Sequence, residues 1–168
     1  LTLEATHHGP VLQAPTLYLE IGSSAEQWED VRAARVWSET IAICLGMSEF
    51  SPKKDWNGRG SVMIGLGGGH YAPRHKAVIT ESNVWVGHIL ANYAIVFEEQ
   101  VDNTSTPSGP WAHSVRTAVE STRTAFPGGD IFAHLDRKSF KGWQRSALAD
   151  LLSELGVPVL RGKQICPP

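Results

Sequence analysis

Cysteine is scarce in this chain, long apolar runs are missing, and there is no excess of positive charge. Cys44 and Cys166 are the only two thiols among 168 residues. Two thiols build no disulfide framework, which points to a reducing compartment and a cytoplasmic setting. No apolar run approaches the roughly 20 residues that span a bilayer, so no membrane association is expected. Lys and Arg number 15 against 17 Asp and Glu, a net charge of −2. A protein that coats itself with nucleic acid carries more positive charge than this, so any RNA contact must come from a local basic patch. Neither an HxxEH nor an HExxH spacing occurs, and spacing alone therefore names no metal centre. There is no internal repeat and no low-complexity segment. The chain has no initiating Met and no recognisable leader, and Leu1-Thr2-Leu3 already reads as strand. It is expected to begin inside a longer protein.

What is present is a globular composition, 42% hydrophobic, long enough for a single domain over residues 1–168. Strand-like stretches are read at residues 1–5, 17–22, 61–66, 94–97 and 131–135. Residues 84–90 suit either strand or helix. Helical spacing is read from Ser23 or Ser24 to about Leu45, with Ala33, Trp37 and Cys44 on one face and Cys44 expected as a buried thiol. Further helices are expected from Pro73 to Ser82, from Trp111 to Ala125, and from near Ser139 to Leu155. Alternating strands and helices point to an α/β domain with a largely parallel or mixed sheet.

The organising stretch is Gly67-Gly68-Gly69-His70-Tyr71-Ala72-Pro73-Arg74-His75. It follows the apolar run Ser61 to Leu66, which reads as a buried strand. Three glycines let the backbone turn sharply, and Pro73 suits a first helical turn. Strand, glycine turn and helix start make a ligand-binding arrangement at the carboxyl end of a strand. Four polar clusters are expected at such ends: His7-His8, His70 with His75, His88, and His134 with Asp136. Histidine suits proton transfer near neutrality and also ligates zinc. Adjacent His7 and His8 on an extended chain point to opposite sides, and Glu4 and Glu20 offer carboxylates.

Arg137-Lys138-Ser139-Phe140-Lys141-Gly142-Trp143-Gln144-Arg145 is the one basic cluster with aromatics between its charges. Cations at a helix N-terminus oppose the helix dipole unless an anion binds there, and phosphate is the natural guest. A solvated face over Phe140 and Trp143 is the other reading of the same residues. Lys53-Lys54 and Arg74 to Lys76 extend a positive surface.

Five blocks in one order carry a family resemblance: residues 3–10 (LEATHHGP), 20–23 (EIGS), 67–74 (GGGHYAPR), 85–88 (WVGH) and 134–144 (HLDRKSFKGWQ). Together they resemble the D-aminoacyl-tRNA deacylases of the archaeal and plant type, closest to the plant members. The resemblance implies an α/β/α sandwich similar to peptidyl-tRNA hydrolases and phosphorylases. It implies hydrolysis of the ester joining a D-amino acid to the 3′ end of tRNA, a proofreading step in translation. In plant-type members it extends to N-modified D-aminoacyl-tRNA. Zinc is associated with the family, with His7, His8, Glu20 and His70 as first candidate ligands.

On this reading His70, with His7 and His8, supplies the catalytic group. Gly68 and Gly69 offer backbone N–H groups to an oxyanion or the terminal adenosine. Tyr71, Arg74, His134 and the Gly9-Pro10 turn contact substrate, the glycine turns being candidates for the wall that rejects L-amino acids. Arg137, Lys138, Lys141 and Arg145 hold tRNA phosphates. A ribose hydroxyl assisting the hydrolysis is an alternative to a side-chain base. A metal-dependent amidase or peptidase, and a non-catalytic tRNA-binding module, are the alternatives for the whole protein.

Overall fold

The computed structural model describes residues 19–22, 24–49, 55–98 and 107–166. These divide by contacts into two compact units, one up to Asn57 and one from Gly58 onward.

In the first unit, α1 (Ala25–Trp28) and α2 (Val31–Cys44) replace the single helix expected to Leu45. The break falls at Asp30, whose carboxylate accepts from the Arg32 N–H at 2.8 Å and caps α2. An aspartate that bonds its own downstream backbone starts a new helix rather than continuing the old one. Ser24 caps α1, and the Gln27 side chain accepts from its N–H. Cys44 is exposed, not buried as expected. At the helix end it falls outside the partly covered run Thr40 to Ile43. Leu19 to Gly22, expected as strand, form none. Their carbonyls instead accept from indoles, Leu19 from Trp37 and Gly22 from Trp28. The strand expected at Leu1 to Ala5 lies outside the described residues.

The second unit is built on β1 (Ser61–Leu66), β2 (Trp85–Leu90) and β3 (Asp130–Leu135). The order is β2-β1-β3, and every described pairing is parallel. β1 is central and buried from Val62 to Leu66, which is why its sequence is a continuous apolar run rather than an alternation. Helices cover both faces. Ile64, Leu66 and Ala133 pack against α4 (Trp111–Ala125) and α5 (Gly142–Glu154). Met63 and Phe132 pack against Val78 of α3 (Pro73–Glu81) and Ile165 of α6 (Gly162–Ile165). The α/β/α layering follows from this alternation along β1 and β3.

Ala94 to Phe97, expected as strand, is not one. A 3-10 turn, Asn92–Ala94, ends the departure from β2, and Ile95 is buried. Phe97 stacks on Trp111, with ring centroids 4.7 Å apart. The segment also pairs with the approach to α4 through Trp111 N–H to the Val96 carbonyl. Its hydrophobicity serves an aromatic cluster rather than a sheet face. α5 starts at Gly142 rather than near Ser139, because Arg137–Ser139 forms a separate 3-10 turn. Past Pro158 the chain returns to the sheet: Ala133 bridges Val159 in parallel, and the Leu160 N–H donates to the Ala133 carbonyl at 2.9 Å. No described helix is long and apolar enough to cross a membrane.

Candidate active site

The site grows from the glycine turn. β1 ends at Leu66, and Gly67 and Gly68 leave the sheet with φ of 88° and 85°, where only glycine is unstrained. A Cβ on Gly67 would stand 2.6 Å from Phe140 Cε2, so space as well as conformation demands glycine there. The turn is pinned by Gly67 N–H to the Leu90 carbonyl at 2.8 Å and Asn92 N–H to the Gly68 carbonyl at 3.0 Å. The Gly68 N–H donates to Ser139 Oγ at 2.7 Å, which engages the amide expected to face an oxyanion. Gly69 is exposed, and its carbonyl accepts from the Ala72 N–H at 3.0 Å. Ala72 is the one non-glycine with positive φ among the described residues. Pro73 follows it and opens α3.

α3 carries His75 back over β1. The imidazole is fully buried and packs on Gly65, where a Cβ would lie 3.0 Å from His75 Cγ. The sheet register sets Gly65 opposite His134 of β3, which brings the two histidines together. His75 Nδ1 lies 2.9 Å from His134 Nδ1, and His75 Nε2 lies 3.1 Å from the Gly67 carbonyl oxygen. The rings meet edge to face. Burial pushes the His75 pKa down to about 4, and the neighbouring His134 adds to this; the Gly67 carbonyl and Asp136 oppose it. Burial also lowers His134, with Asp136 opposing. Both imidazoles are neutral at pH 7.

Asp136 follows β3 and is 3% exposed. Arg74 Nη1 donates to both of its carboxylate oxygens at 2.7 Å. The Lys138 N–H adds a bond at 3.1 Å, and the Asp136 N–H donates to the Leu66 carbonyl at 2.8 Å. Arg74 and Asp136 thus clasp the ends of β1 and β3.

Beside this clasp lies a cleft of about 510 Å³. Arg74, Arg137, Lys138, Arg145 and Arg161 line it together with His134, and Val159 and Leu160 add apolar surface. Five cations and one neutral imidazole make a pocket for an anion with a reactive group attached. The clustering is the physical point: a chain with net charge −2 gathers a third of its basic residues here, so the local field differs in sign from the whole.

A family model described as D-aminoacyl-tRNA deacylase matches residues 1–160. The chain belongs to the D-aminoacyl-tRNA deacylase family. It is 43% identical to the Arabidopsis thaliana D-aminoacyl-tRNA deacylase over 95% of this chain and 53% of that protein. It is 36% identical to the Methanosarcina mazei D-aminoacyl-tRNA deacylase over 98% of this chain and 46% of that protein. The chain thus spans about half the length of these relatives. The crystal structure of a conserved protein of unknown function matches with a TM-score of 0.67 and 29% identity, over 98% of this chain and 49% of that one.

Set against this deacylase family, the expected site residues separate. Arg74, His134, Arg137, Lys138 and Arg145 come together at the cleft. Arg145 also donates from Nη1 to the Phe140 carbonyl at 2.6 Å, so it braces the turn it stands on. Lys141 does not line the cleft; it is the exposed N-cap residue of α5, and its N–H bonds Gln144. His70 and Tyr71 sit on the glycine turn with their rings 4.9 Å apart, Tyr71 56% exposed. His88 is brought elsewhere, onto Thr122 of α4. His7, His8, Gly9 and Pro10 lie outside the described residues.

For the expected zinc ligands, Glu20 and His70 belong to different units. Among the described residues no three His, Cys, Asp or Glu side chains are placed to hold a metal ion. His75 and His134 direct their facing nitrogens at each other, and both Asp136 oxygens accept from Arg74. The described donors do not fit zinc.

Of three further participants, His75 and Asp136 belong to the expected polar clusters without an assigned role, and Arg161 does not. His75, beside His70 in sequence, is carried by α3 to His134. Asp136 follows strand β3 directly, the same strand-end rule that singled out the glycine turn. Arg161 follows Val159-Leu160, a pair short enough to pass unnoticed as strand.

Proposed function

We propose that the protein hydrolyses the ester of D-aminoacyl-tRNA, releasing the D-amino acid and free tRNA. The observation that carries this is the cationic cleft around His134 at the ends of β1 and β3, in a chain of the D-aminoacyl-tRNA deacylase family. A tRNA 3′ end offers phosphates to Arg137, Lys138, Arg145 and Arg161. With the phosphates so held, the aminoacyl ester meets the imidazole. His70 and Tyr71 on the glycine turn are proposed to contact the aminoacyl-adenosine, with Gly69 the turn amide most open to it. N-modified D-aminoacyl-tRNA fits the same reading because the chemistry acts at the ester rather than the amine. A cytoplasmic setting agrees with this substrate.

Zinc enters only as a proposal, with His7 and His8, which lie outside the described residues, as its ligands. Metal analysis of the whole protein, with turnover before and after chelation, decides it: unchanged turnover with no bound metal removes zinc from the reaction.

The function is tested by incubating the whole protein with D-tyrosyl-tRNA, its N-alkylated form and L-tyrosyl-tRNA. Hydrolysis of the D forms with the L form spared is expected. Equal rates on both enantiomers, or none on the D form, would discard the proposal.

A further inference from the structure

The hydrogen bonds of the buried histidine pair determine which nitrogen of His134 carries its proton. The Gly67 carbonyl can only accept, so His75 Nε2, 3.1 Å away, must carry a hydrogen and donate it. A neutral imidazole has one N–H, so His75 Nδ1 is left as an acceptor. His134 Nδ1 lies 2.9 Å from it and must therefore donate. This leaves His134 Nε2 with a free lone pair, on a ring that lines the cationic cleft. No described hydrogen bond occupies that nitrogen. In water the Nε2–H tautomer of histidine is the commoner one, so the arrangement holds His134 in the less common form.

We infer that His134 is the proton acceptor of the site and that His75 is its positioning residue, holding the His134 ring in the Nδ1–H tautomer with Nε2 open to the substrate. The inference rests on the ester-hydrolysis reading for its substrate and on hydrogen-bond geometry for its tautomer. In the step it describes, water oxygen bonds to the ester carbonyl carbon as a water proton passes to His134 Nε2. The tetrahedral intermediate then collapses, and the carbon–oxygen bond to the ribose breaks. The departing ribose oxygen takes the proton back from Nε2. One water is consumed, and a free amino acid and a ribose hydroxyl result.

The surroundings favour an imidazole that starts neutral. His75 of α3 faces His134 on one side. Asp136 opposes the lowering of its pKa, and Arg74 ties up both oxygens of that carboxylate. Arg137, Lys138, Arg145 and Arg161 line the same cleft. The glycine turn takes part indirectly, since Gly67 supplies the carbonyl that sets the relay.

The test uses the whole protein labelled with nitrogen-15 at histidine. At pH 7.5, long-range proton–nitrogen spectra are expected to show His134 with Nδ1 protonated and His75 with Nε2 protonated. His134 found as the Nε2–H tautomer overturns the inference whatever the activity. Turnover of D-tyrosyl-tRNA supplies the second arm. His134→Gln is expected to lower kcat at least about 100-fold with KM for tRNA within about twofold, because the cations hold the tRNA. His75→Leu, which removes the acceptor, is expected to lower kcat and return His134 to the common tautomer. His75→Gln places an amide N–H toward Gly67 and an amide oxygen toward His134, and is expected to recover most of the loss. Wild-type activity with His134→Gln near normal overturns this inference and leaves the proposed function standing. A wild-type protein inert on the D form overturns both. A His75→Leu loss that Gln does not rescue, with an unchanged His134 tautomer, makes His75 a packing residue and overturns its role.

Discussion

His134 and His88 invite comparison, because each stands on a strand beside β1 and each gives Nδ1 to a neighbour. His88 Nδ1 lies 3.0 Å from Thr122 Oγ1, and that hydroxyl spends its hydrogen on the Ala118 carbonyl at 2.7 Å. Thr122 must therefore accept, and His88 is also an Nδ1–H imidazole. Burial lowers both pKa values. The two rings share a tautomer and a protonation state, yet their surroundings differ. His88 is exposed, packs on the side of α4, and lines no described cleft. His134 is 8% exposed, sits at the carboxyl end of its strand, and shares a cleft with five cations. The difference teaches that a locked imidazole is common currency in a fold. A site arises where the locked ring, the strand end and the positive field coincide.

The strongest way to break the comparison is to neutralise each histidine in turn. His134→Gln is expected to cost about 100- to 10,000-fold in turnover of D-tyrosyl-tRNA, and His88→Gln less than about twofold. Equal losses would show that the two rings act alike and that the cleft confers nothing.

Acid offers the next test. His75 is fully buried and its pKa falls from 6.5 to about 4, so the unfolded chain binds a proton that the folded chain refuses across that window. Stability from this burial is fully present above pH 6.5. It is lost as pH falls toward about 4, by on the order of 3 kcal/mol. Denaturant melts of wild type and His75→Leu from pH 7.5 to 4 should show a steeper decline in the wild type. Parallel curves would mean that His75 is not buried neutral.

Smaller effects sharpen the contrast through two glycines, one packed on His75 and one on Thr122, the partner of His88. A Cβ on Gly65 would press His75 Cγ at 3.0 Å, and one on Gly87 would meet Thr122 Cγ2 at 2.5 Å. Each alanine substitution is expected to cost about 1–3 kcal/mol by overpacking. Gly65→Ala should also depress turnover of the remaining folded protein, whereas Gly87→Ala should leave it near normal. Calorimetry paired with turnover per folded molecule separates the two.

The smallest expected effects concern the cations. Arg161→Ala should raise KM for tRNA several-fold, leave kcat alone, and flatten the salt dependence of binding by roughly 0.7–0.9 in log–log slope, one phosphate contact. Lys141→Ala, outside the cleft, should change that slope less. An unaltered slope in Arg161→Ala would place the phosphates elsewhere.

Much of this was visible in the residues. An apolar run from Ser61 to Leu66, bounded by glycines, read as a buried strand, and the glycines before Pro73 read as a turn into a helix. The amphipathic spacing from Trp111 to Ala125 read correctly because a helix face needs only local periodicity. Ala94 to Phe97 misled, since short apolar runs serve strands and aromatic clusters equally. Asp30 divided a helix that propensity alone would continue, because one side-chain bond outcompeted the next backbone one. The basic block was legible as a cluster. That Lys141 would stand apart and Arg161 would join was not, because a helix cap and a parallel bridge decide which way each cation faces.

The sequence by itself determined the central strand, the helix from Trp111 to Ala125, the strand-end turn and the family, since these depend on neighbours along the chain and on residues in fixed order. Only the tertiary structure decided which two histidines meet and how their hydrogen bonds assign the protons. His75 and His134 are 59 positions apart, and the proton between them is assigned by a carbonyl at Gly67. A hydrogen bond of 2.9 Å between such distant residues exists only once β1 and β3 are in register and α3 has folded back over them.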